Sequence, residues 1–194
     1  MSTVDRERMI LDAAATVFYE KGFHGVGVDE LGTRAGMSGP TLYRYFSSKE
    51  EILAALFNEA MDELVSATAI VHDDPMADLA RLIRHHVSYA VSQRQLVNVY
   101  QREDRSLTGP WKRHFNHRRK QYVTRWEAIV ARCAPGATPD QVAALTQAVL
   151  GMIFSIADWP PQTAGIPGLA ELIVGFTTQG LASIVLVGPL KTSD

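Results

Sequence analysis

The stretch AGMSGPTLYRYFSSKEEIL, residues Ala35 to Leu53, decides how the chain is read. Gly36 marks a turn, Ser38 is a good N-cap, and Pro40 is tolerated where a first helical turn has no internal bond to lose. A short helix over 39–46 is therefore predicted. Placing its residues at about 100° intervals sets Leu42 and Phe46 together on one edge, the only large apolar pair spaced i, i+4. Pro40 and Arg44 fall opposite, with Thr41 beside them and Tyr43 and Tyr45 on the flanks. A core wants aliphatic side chains, so a face of arginine, hydroxyl, proline ring and two phenols implies a partner outside the chain.

That face suits the major groove of DNA. Arginine pairs with guanine O6 and N7, threonine and proline touch a thymine methyl, and tyrosine hydroxyls donate to phosphates. The small Gly39 would let the helix N-terminus come close to the duplex, and Lys49 would add a cation beside backbone N–H groups that already favour a phosphate. Ser48-Lys-Glu-Glu51 reads as a capping box, opening a further helix through Ile52, Leu56, Ala60 and Leu64 until His-Asp-Asp-Pro at 72–75.

Upstream, Ile10, Ala13, Ala14, Val17 and Phe18 form one helical stripe that Gly22 ends. Val28, Leu31 and Ala35 mark a second helix closed by Gly36, so two short helices lie three residues apart with a glycine in the turn. The run from Ile10 to Leu56, AA..VF.EKGFHGVGVDELGTRAGMSGPTLYRYFSSKEEILAAL, resembles the N-terminal domain of tetracycline-repressor (TetR) family transcriptional regulators. The resemblance implies an all-α fold: a three-helix helix-turn-helix domain over 1–50, then a larger helical ligand-binding and dimerisation domain over 51–194. It also implies that Pro40, Thr41, Tyr43, Arg44, Tyr45 and Lys49 meet bases and phosphates. One position departs. Members often carry Thr or Ser where Gly27 stands, so at Gly27 and Val28 a phosphate can be met only by backbone N–H groups.

Composition bounds the alternatives. With 194 residues, 46% hydrophobic and 21% charged, the chain is an ordinary globular sequence rather than a disordered one. A net charge of −2 excludes binding through a bulk basic field, because the six Lys and Arg of the first fifty residues are offset by seven acids. The single cysteine, Cys133, excludes a disulfide framework and fits a reducing, cytoplasmic setting. MSTVDRERMILD has no apolar core of a secretory signal, and the longest apolar run, near 181–190, is too short to span a bilayer, so no membrane role is expected.

Beyond residue 75 the pattern stays helical: Leu79, Leu82, Ile83 and Val87, then Val97 and Tyr100, then Phe115, Tyr122, Trp126 and Val130. Thr138-Pro-Asp-Gln141 is a second capping box, PPQTAGIPG reads as a loop, and Leu169 to Val185 forms the last helix. The TetR resemblance implies homodimers joined by the last two helices, and apolar stripes including Val149, Ile153, Leu172 and Phe176 fit such a seam. Effector candidates are the aromatic and apolar residues Tyr100, Phe115, Tyr122, Trp126, Met152 and Trp159, with Arg119 placing a guanidinium on the Phe115, Tyr122, Trp126 face as a holder for an anion. VYQREDRSL, RRKQYVTRW and ADWP resemble C-terminal domains of actinobacterial regulators of lipid and acyl-CoA catabolism, which implies a fatty-acid or acyl-CoA effector.

His85-His86 and His114-x-x-His117 have helical ligand spacing, but without a nearby Cys or an H-E-x-x-H they read as surface or core histidines, and no metal or cofactor is expected. No G-x-S-x-G, phosphate loop or Cys/His pairing signals catalysis, so no catalytic residue is assigned. The readings are a ligand-responsive repressor binding a palindromic operator as a dimer, a helix-turn-helix activator or structural DNA binder without an effector, and a helical small-molecule-binding protein or enzyme with a vestigial N-terminus.

Overall fold

The computed structural model describes residues 3–69 and 72–187, and every regular element among the described residues is helical. Helix α1 (Thr3–Lys21) buries Ile10, Ala14, Val17 and Phe18, the stripe read from the sequence, and ends where Gly22 takes a φ of 73°. Next come α2 (Val28–Arg34) and α3 (Gly39–Leu42). The α-helix of α3 is thus shorter than the predicted 39–46. Beyond Leu42 the chain tightens: Arg44 N and Tyr45 N donate three residues back, to Thr41 O and Leu42 O at 3.2 and 2.9 Å, and Phe46 N donates to Leu42 O at 3.1 Å. Short-range bonds of this kind satisfy the last carbonyls of a helix and preserve its face.

The backbones of α2 and α3 nearly touch. A Cβ added at Gly32 would lie 3.0 Å from both Met37 O and Gly39 N, so only glycine fits there without moving backbone. Helix α4 (Lys49–Ser66) is capped by Ser48, whose Oγ accepts from Glu51 N at 3.1 Å. The Glu51 carboxylate answers one residue earlier than a standard capping box, accepting from Ser47 N and Ser47 Oγ at 2.6 Å.

Helices α5 (Pro75–Ser92), α6 (Arg94–Glu103), α7 (Gly109–Cys133), α8 (Pro139–Ser155) and α10 (Leu169–Val187) complete the fold, with a single-turn α9 (Pro161–Ala164) inside the segment predicted as loop. Pro161 suits a first helical position, and Gly165 then ends the turn. The Thr138 capping box is present, with Thr138 N donating to Gln141 Oε1 at 2.8 Å and Gln141 N to Thr138 Oγ1 at 3.3 Å. By length and composition Pro139–Asp158 passes as a membrane span, yet Val142, Val149, Leu150, Ile153 and Ile156 on it are core residues of this fold. Of the apolar run predicted at 181–190, residues 188–190 lie outside the described residues.

The chain forms two compact units. One comprises the described residues up to Glu63 together with Gln95–Arg119; the other comprises Leu64–Arg94 together with the described residues from Lys120 onward. The divisions fall within α4, after the first residue of α6, and within α7. In the first unit Phe57 of α4 packs its ring on Tyr100 of α6 and Phe115 of α7, with centroids 5.6 and 5.4 Å away. Helix α6 also grips the end of α1: Arg102 donates to Tyr19 O at 2.8 Å and Phe18 O at 3.3 Å, and Glu103 accepts from Phe23 N at 3.0 Å. These contacts make residues 95–119 part of the body that carries α1 to α3.

In the second unit α10 lies along α5, burying Leu169, Ile173, Val174 and Leu181, with Arg84 pairing both oxygens of Glu171 at 2.6 and 2.9 Å. Asp78, wholly buried, accepts from Arg132 at 2.9 Å and from His72 N at 3.1 Å, with His72 Nδ1 3.0 Å away. His86 is also wholly buried, and loss of hydration lowers its pKa to about 3 from an ordinary 6.5, so its ring is neutral.

Two outcomes follow. Gly32→Ala should destabilise the first unit, because about 1–3 kcal/mol of overpacking outweighs the roughly 1 kcal/mol that Ala gains in a helix; urea unfolding measures the difference. His86 should make the protein acid-sensitive. The unfolded chain takes up its proton below pH 6.5 while the folded chain holds off until about 3, so stability falls as pH drops through that window. The loss is at most about 1.4 kcal/mol per pH unit, and His86→Phe should remove it from urea midpoints compared at pH 7.5 and 5.

Candidate nucleic-acid interface and effector residues

Helix α3 is held from beneath by Leu42 and Phe46, which are 0% and 8% exposed. Ser38 starts it by accepting from Thr41 N at 3.3 Å, and its hydroxyl lies 2.8 Å from the Thr41 hydroxyl. With that edge fixed, Pro40, Tyr43 and Arg44 stand exposed, Tyr43 by 54%, and Thr41 and Tyr45 are half-buried beside them. The Arg44 side chain makes no hydrogen bond or ion pair among the described residues. The guanidinium is therefore free to meet a base edge.

Two sequence expectations change. Gly39 is buried, and a Cβ there would come 2.2 Å from Asp29 Oδ1, the movable end of a side chain on α2, so its smallness also makes room for Asp29. Lys49 is not a free cation. Its ammonium donates to Phe23 O at 2.7 Å and Val26 O at 2.9 Å and lies 4.3 Å from the Phe23 ring centroid, which ties the α1–α2 connection to the start of α4. Gly27 caps α2 in extended conformation with no side-chain bond, and a Cβ there would meet nothing within 4 Å. The exposed Gly27 and half-buried Val28 thus offer only backbone groups, as the sequence implied.

The effector candidates are divided between the two units. Tyr100 and Phe115, with centroids 5.7 Å apart, and Arg119 belong to the first unit, whereas Tyr122, Trp126, Met152 and Trp159 belong to the second. Phe115, Tyr122 and Trp126 are core side chains, 2%, 3% and 0% exposed. Arg119 is paired with Asp104 at 3.4 Å, and Asp104 also faces Lys112 at 3.8 Å. Arg118 is bound to Asp62 and Asn58, and Arg125 lies 3.5 Å from Val65 O and Thr68 Oγ1. Much of the basic run at 112–125 is thus engaged inside the protein. Near it, an open cleft of about 460 Å³ is lined by Tyr100, Gln101, Arg102, Asp104 and Arg105.

Of the four residues assigned to a dimer seam, Leu172 and Phe176 are 60% and 74% exposed on α10. Val149 and Ile153 are 6% and 0% exposed and pack within the chain, so they have no side-chain surface to give a second copy. Their helix turns Ala144, Ala148 and Gly151 to solvent instead. Sequence reasoning missed His86, whose ring centroid lies 5.0 Å from that of Trp126 and 5.8 Å from that of Tyr122. Its spacing of i, i+4 from Leu82 on an apolar helix face was the available signal.

Comparison with known proteins places this geometry. Residues 10–56 match the family described as bacterial regulatory proteins, tetR family, and residues 72–163 match the family described as tetracyclin repressor-like, C-terminal domain. The HTH-type transcriptional activator FasR of Mycolicibacterium smegmatis is 45% identical over 62 residues, 32% of this chain and 28% of its own length. The fatty acid metabolism regulator protein of Bacillus subtilis is 31% identical over 124 residues, 62% of this chain and 64% of its own length. The chain thus spans less than two thirds of either relative. The structure of AibR in complex with isovaleryl coenzyme A and operator DNA superimposes with a TM-score of 0.76 over 90% of this chain and 97% of that one, at 23% identity, which speaks to the fold alone. Members of the matched family are DNA-binding regulators rather than enzymes. With both of its parts matched along the chain, the protein belongs to the TetR family of transcriptional regulators.

Proposed function

We propose that the protein is a ligand-responsive repressor that binds a palindromic operator as a homodimer, in the cytoplasm, and releases it when a small apolar, anionic effector of fatty-acid or acyl-CoA type binds. Residues 1–50 act as the reading head and 51–194 as the ligand-binding and dimerisation part. The observation that carries the reading is the face of α3: Arg44 and Tyr43 stand free while Leu42 and Phe46 fix the helix from below. A short helix presenting arginine, proline and phenols over a turn spacing of this kind fits a major groove.

The dimer is supported by α10. Leu172 and Phe176 leave large apolar surface on the side opposite the α5 contact, and Gly175 between them has no neighbour that requires a glycine. Such a surface on a helix otherwise packed into a core suits a second copy. An effector with a lipid character is supported by the relative named for fatty acid metabolism and by AibR, solved with isovaleryl coenzyme A. The pairing of Arg119 with Asp104 does not oppose this. At 43% exposure an ion pair is worth roughly 0–1 kcal/mol, so a carboxylate or phosphate can replace Asp104 at small cost.

A second reading, transcriptional activation, has one observation in its favour: the relative that is 45% identical over 62 residues is named an activator. Transcription of the adjacent genes after deletion separates the two, rising for a repressor and falling for an activator.

For the reading head, Arg44→Ala should lose about 1–3 kcal/mol of operator binding and relax preference at one base pair, measured by fluorescence anisotropy with base-substituted operators. Lys49→Ala should differ in kind, lowering thermal stability as well as binding, because it frees two backbone carbonyls. Phe176→Arg should yield a folded monomer in sedimentation, with operator binding sharply reduced although α3 is untouched. For the effector, a thermal-shift screen of acyl-CoAs, fatty acids and unrelated aromatic drugs, followed by operator release, should select the acyl compounds; release by drugs alone would replace the lipid reading with a multidrug one.

A further inference from the structure

In the second unit a pair of fully buried polar rings lies side by side with one nitrogen each left over. His86 and Trp126 are both 0% exposed, and their ring centroids are 5.0 Å apart at an interplanar angle of 80°. His86 Nδ1 lies 2.8 Å from Leu82 O, an acceptor, which fixes the proton on Nδ1. Its Nε2 is consequently a lone-pair acceptor, buried and without a partner, and Trp126 Nε1 is a buried donor without a partner. Thr146, on the α8 helix that packs against α5, is also 0% exposed with an unpartnered Oγ1. Tyr122 adds a ring stacked on His86 at 5.8 Å and set edge-on to Trp126 at 6.4 Å. Leaving such a group dry is costly, which is why orphaned polar atoms in a core point to an exchangeable partner.

From this we infer that His86 and Trp126 form a buried polar subsite for the neutral hydroxyl or amide group of an otherwise apolar molecule, which packs against the edge of the His86, Tyr122 and Trp126 ring cluster. The chemistry is directional. An imidazole lone pair needs a donor and an indole N–H needs an acceptor, and a single hydroxyl or a secondary or primary amide offers both. A carboxylate offers two acceptors and no proton, so it satisfies Trp126 while setting like lone pairs against His86 Nε2. Protonating His86 to accommodate it is unfavourable, because burial holds the ring neutral. The subsite rests on the effector reading and narrows it, from free fatty acids to acyl compounds that carry a neutral amide or hydroxyl, as an acyl-CoA does.

The test uses the full-length protein at pH 7.5 with three probes of equal chain length: 1-decanol, decanamide and sodium decanoate. The indole N–H resonance of Trp126 is assigned by its disappearance in Trp126→Phe, and thermal shift measures binding. At least one of decanol and decanamide should move that resonance and raise the melting temperature, with decanoate at least tenfold weaker. Which of the two binds tells a hydroxyl from an amide ligand. His86→Phe keeps a ring of similar shape and should fold at least as stably, yet lose the tenfold preference over decanoate. Decanoate binding as tightly as both neutral probes, no probe moving the Trp126 resonance, or His86→Phe retaining the preference would each overturn the assignment. If the neutral probes bind in this way and no acyl-CoA releases the operator, the subsite stands and the effector reading fails.

Discussion

The approach of α2 to α3 is the constraint on which the reading head depends. Gly32 lies against the backbone of Met37 to Gly39, so α2 supplies a glycine where any side chain would push that backbone away. Once the backbones are that close, Leu42 and Phe46 can reach the space beneath and be almost wholly buried. Their burial fixes the rotation of α3, which in turn leaves Arg44 and Tyr43 with nothing to do inside the protein. The presentation of a recognition face is thus a consequence of packing on the opposite edge. The same logic is compatible with the proposed DNA-reading role in a domain with more acids than bases in its first fifty residues, since contacts placed this way need no basic field around them.

Lys49 and α6 show how that placement is held from outside α2 and α3. The Lys49 ammonium spans two carbonyls of the α1–α2 connection, and Arg102 and Glu103 take up the end of α1 and the N–H of Phe23. A hydrogen bond to a charged group is stronger than a neutral one, and here three charged side chains converge on the residues between Phe18 and Val26. The turn between the first two helices is rich in glycine and would have little conformation of its own. Charged side chains from α4 and α6 supply what its sequence lacks.

The periodic features were legible in the sequence because they report burial directly. The stripe Ile10, Ala14, Val17, Phe18 and the pair Leu42, Phe46 are spaced as a helix requires, and both are buried as that spacing implies. What could not be read was the use of polar groups. Lys49, Arg118 and Arg119 look alike as cations near a candidate site, and their partners at Phe23, Asp62 and Asp104 are chosen by tertiary folding. Apolar stripes have the same ambiguity in reverse. Val149 and Phe176 both sit on apolar helices, yet one is 6% and the other 74% exposed, because α10 offers α5 the face of Ile173, Val174 and Leu181 and leaves Leu172 and Phe176 off that contact. Histidine is the extreme case: His86 resembles its neighbour His85 in sequence and differs from it by being wholly inside.

The membership of α6 in the first unit bears on how an effector can act. A ligand that binds every conformation equally moves nothing, however tightly it is held; it must prefer the arrangement that cannot engage the operator. Residues 95–119 are the segment where such a preference has the shortest path to the reading head, since Arg102 and Glu103 hold the α1 end directly and Tyr100 and Phe115 share an aromatic cluster with Phe57 of α4. Shifting α6 by even one bond length would break charge-assisted bonds to backbone at Phe18, Tyr19 and Phe23. The α1–α2 turn would then lose its charged ties to α6, and the position of α2, hence of α3 against Gly32, would be held less firmly on that side. Release of DNA on this account requires no change in α3 itself, only the loss of what holds the helix in front of it.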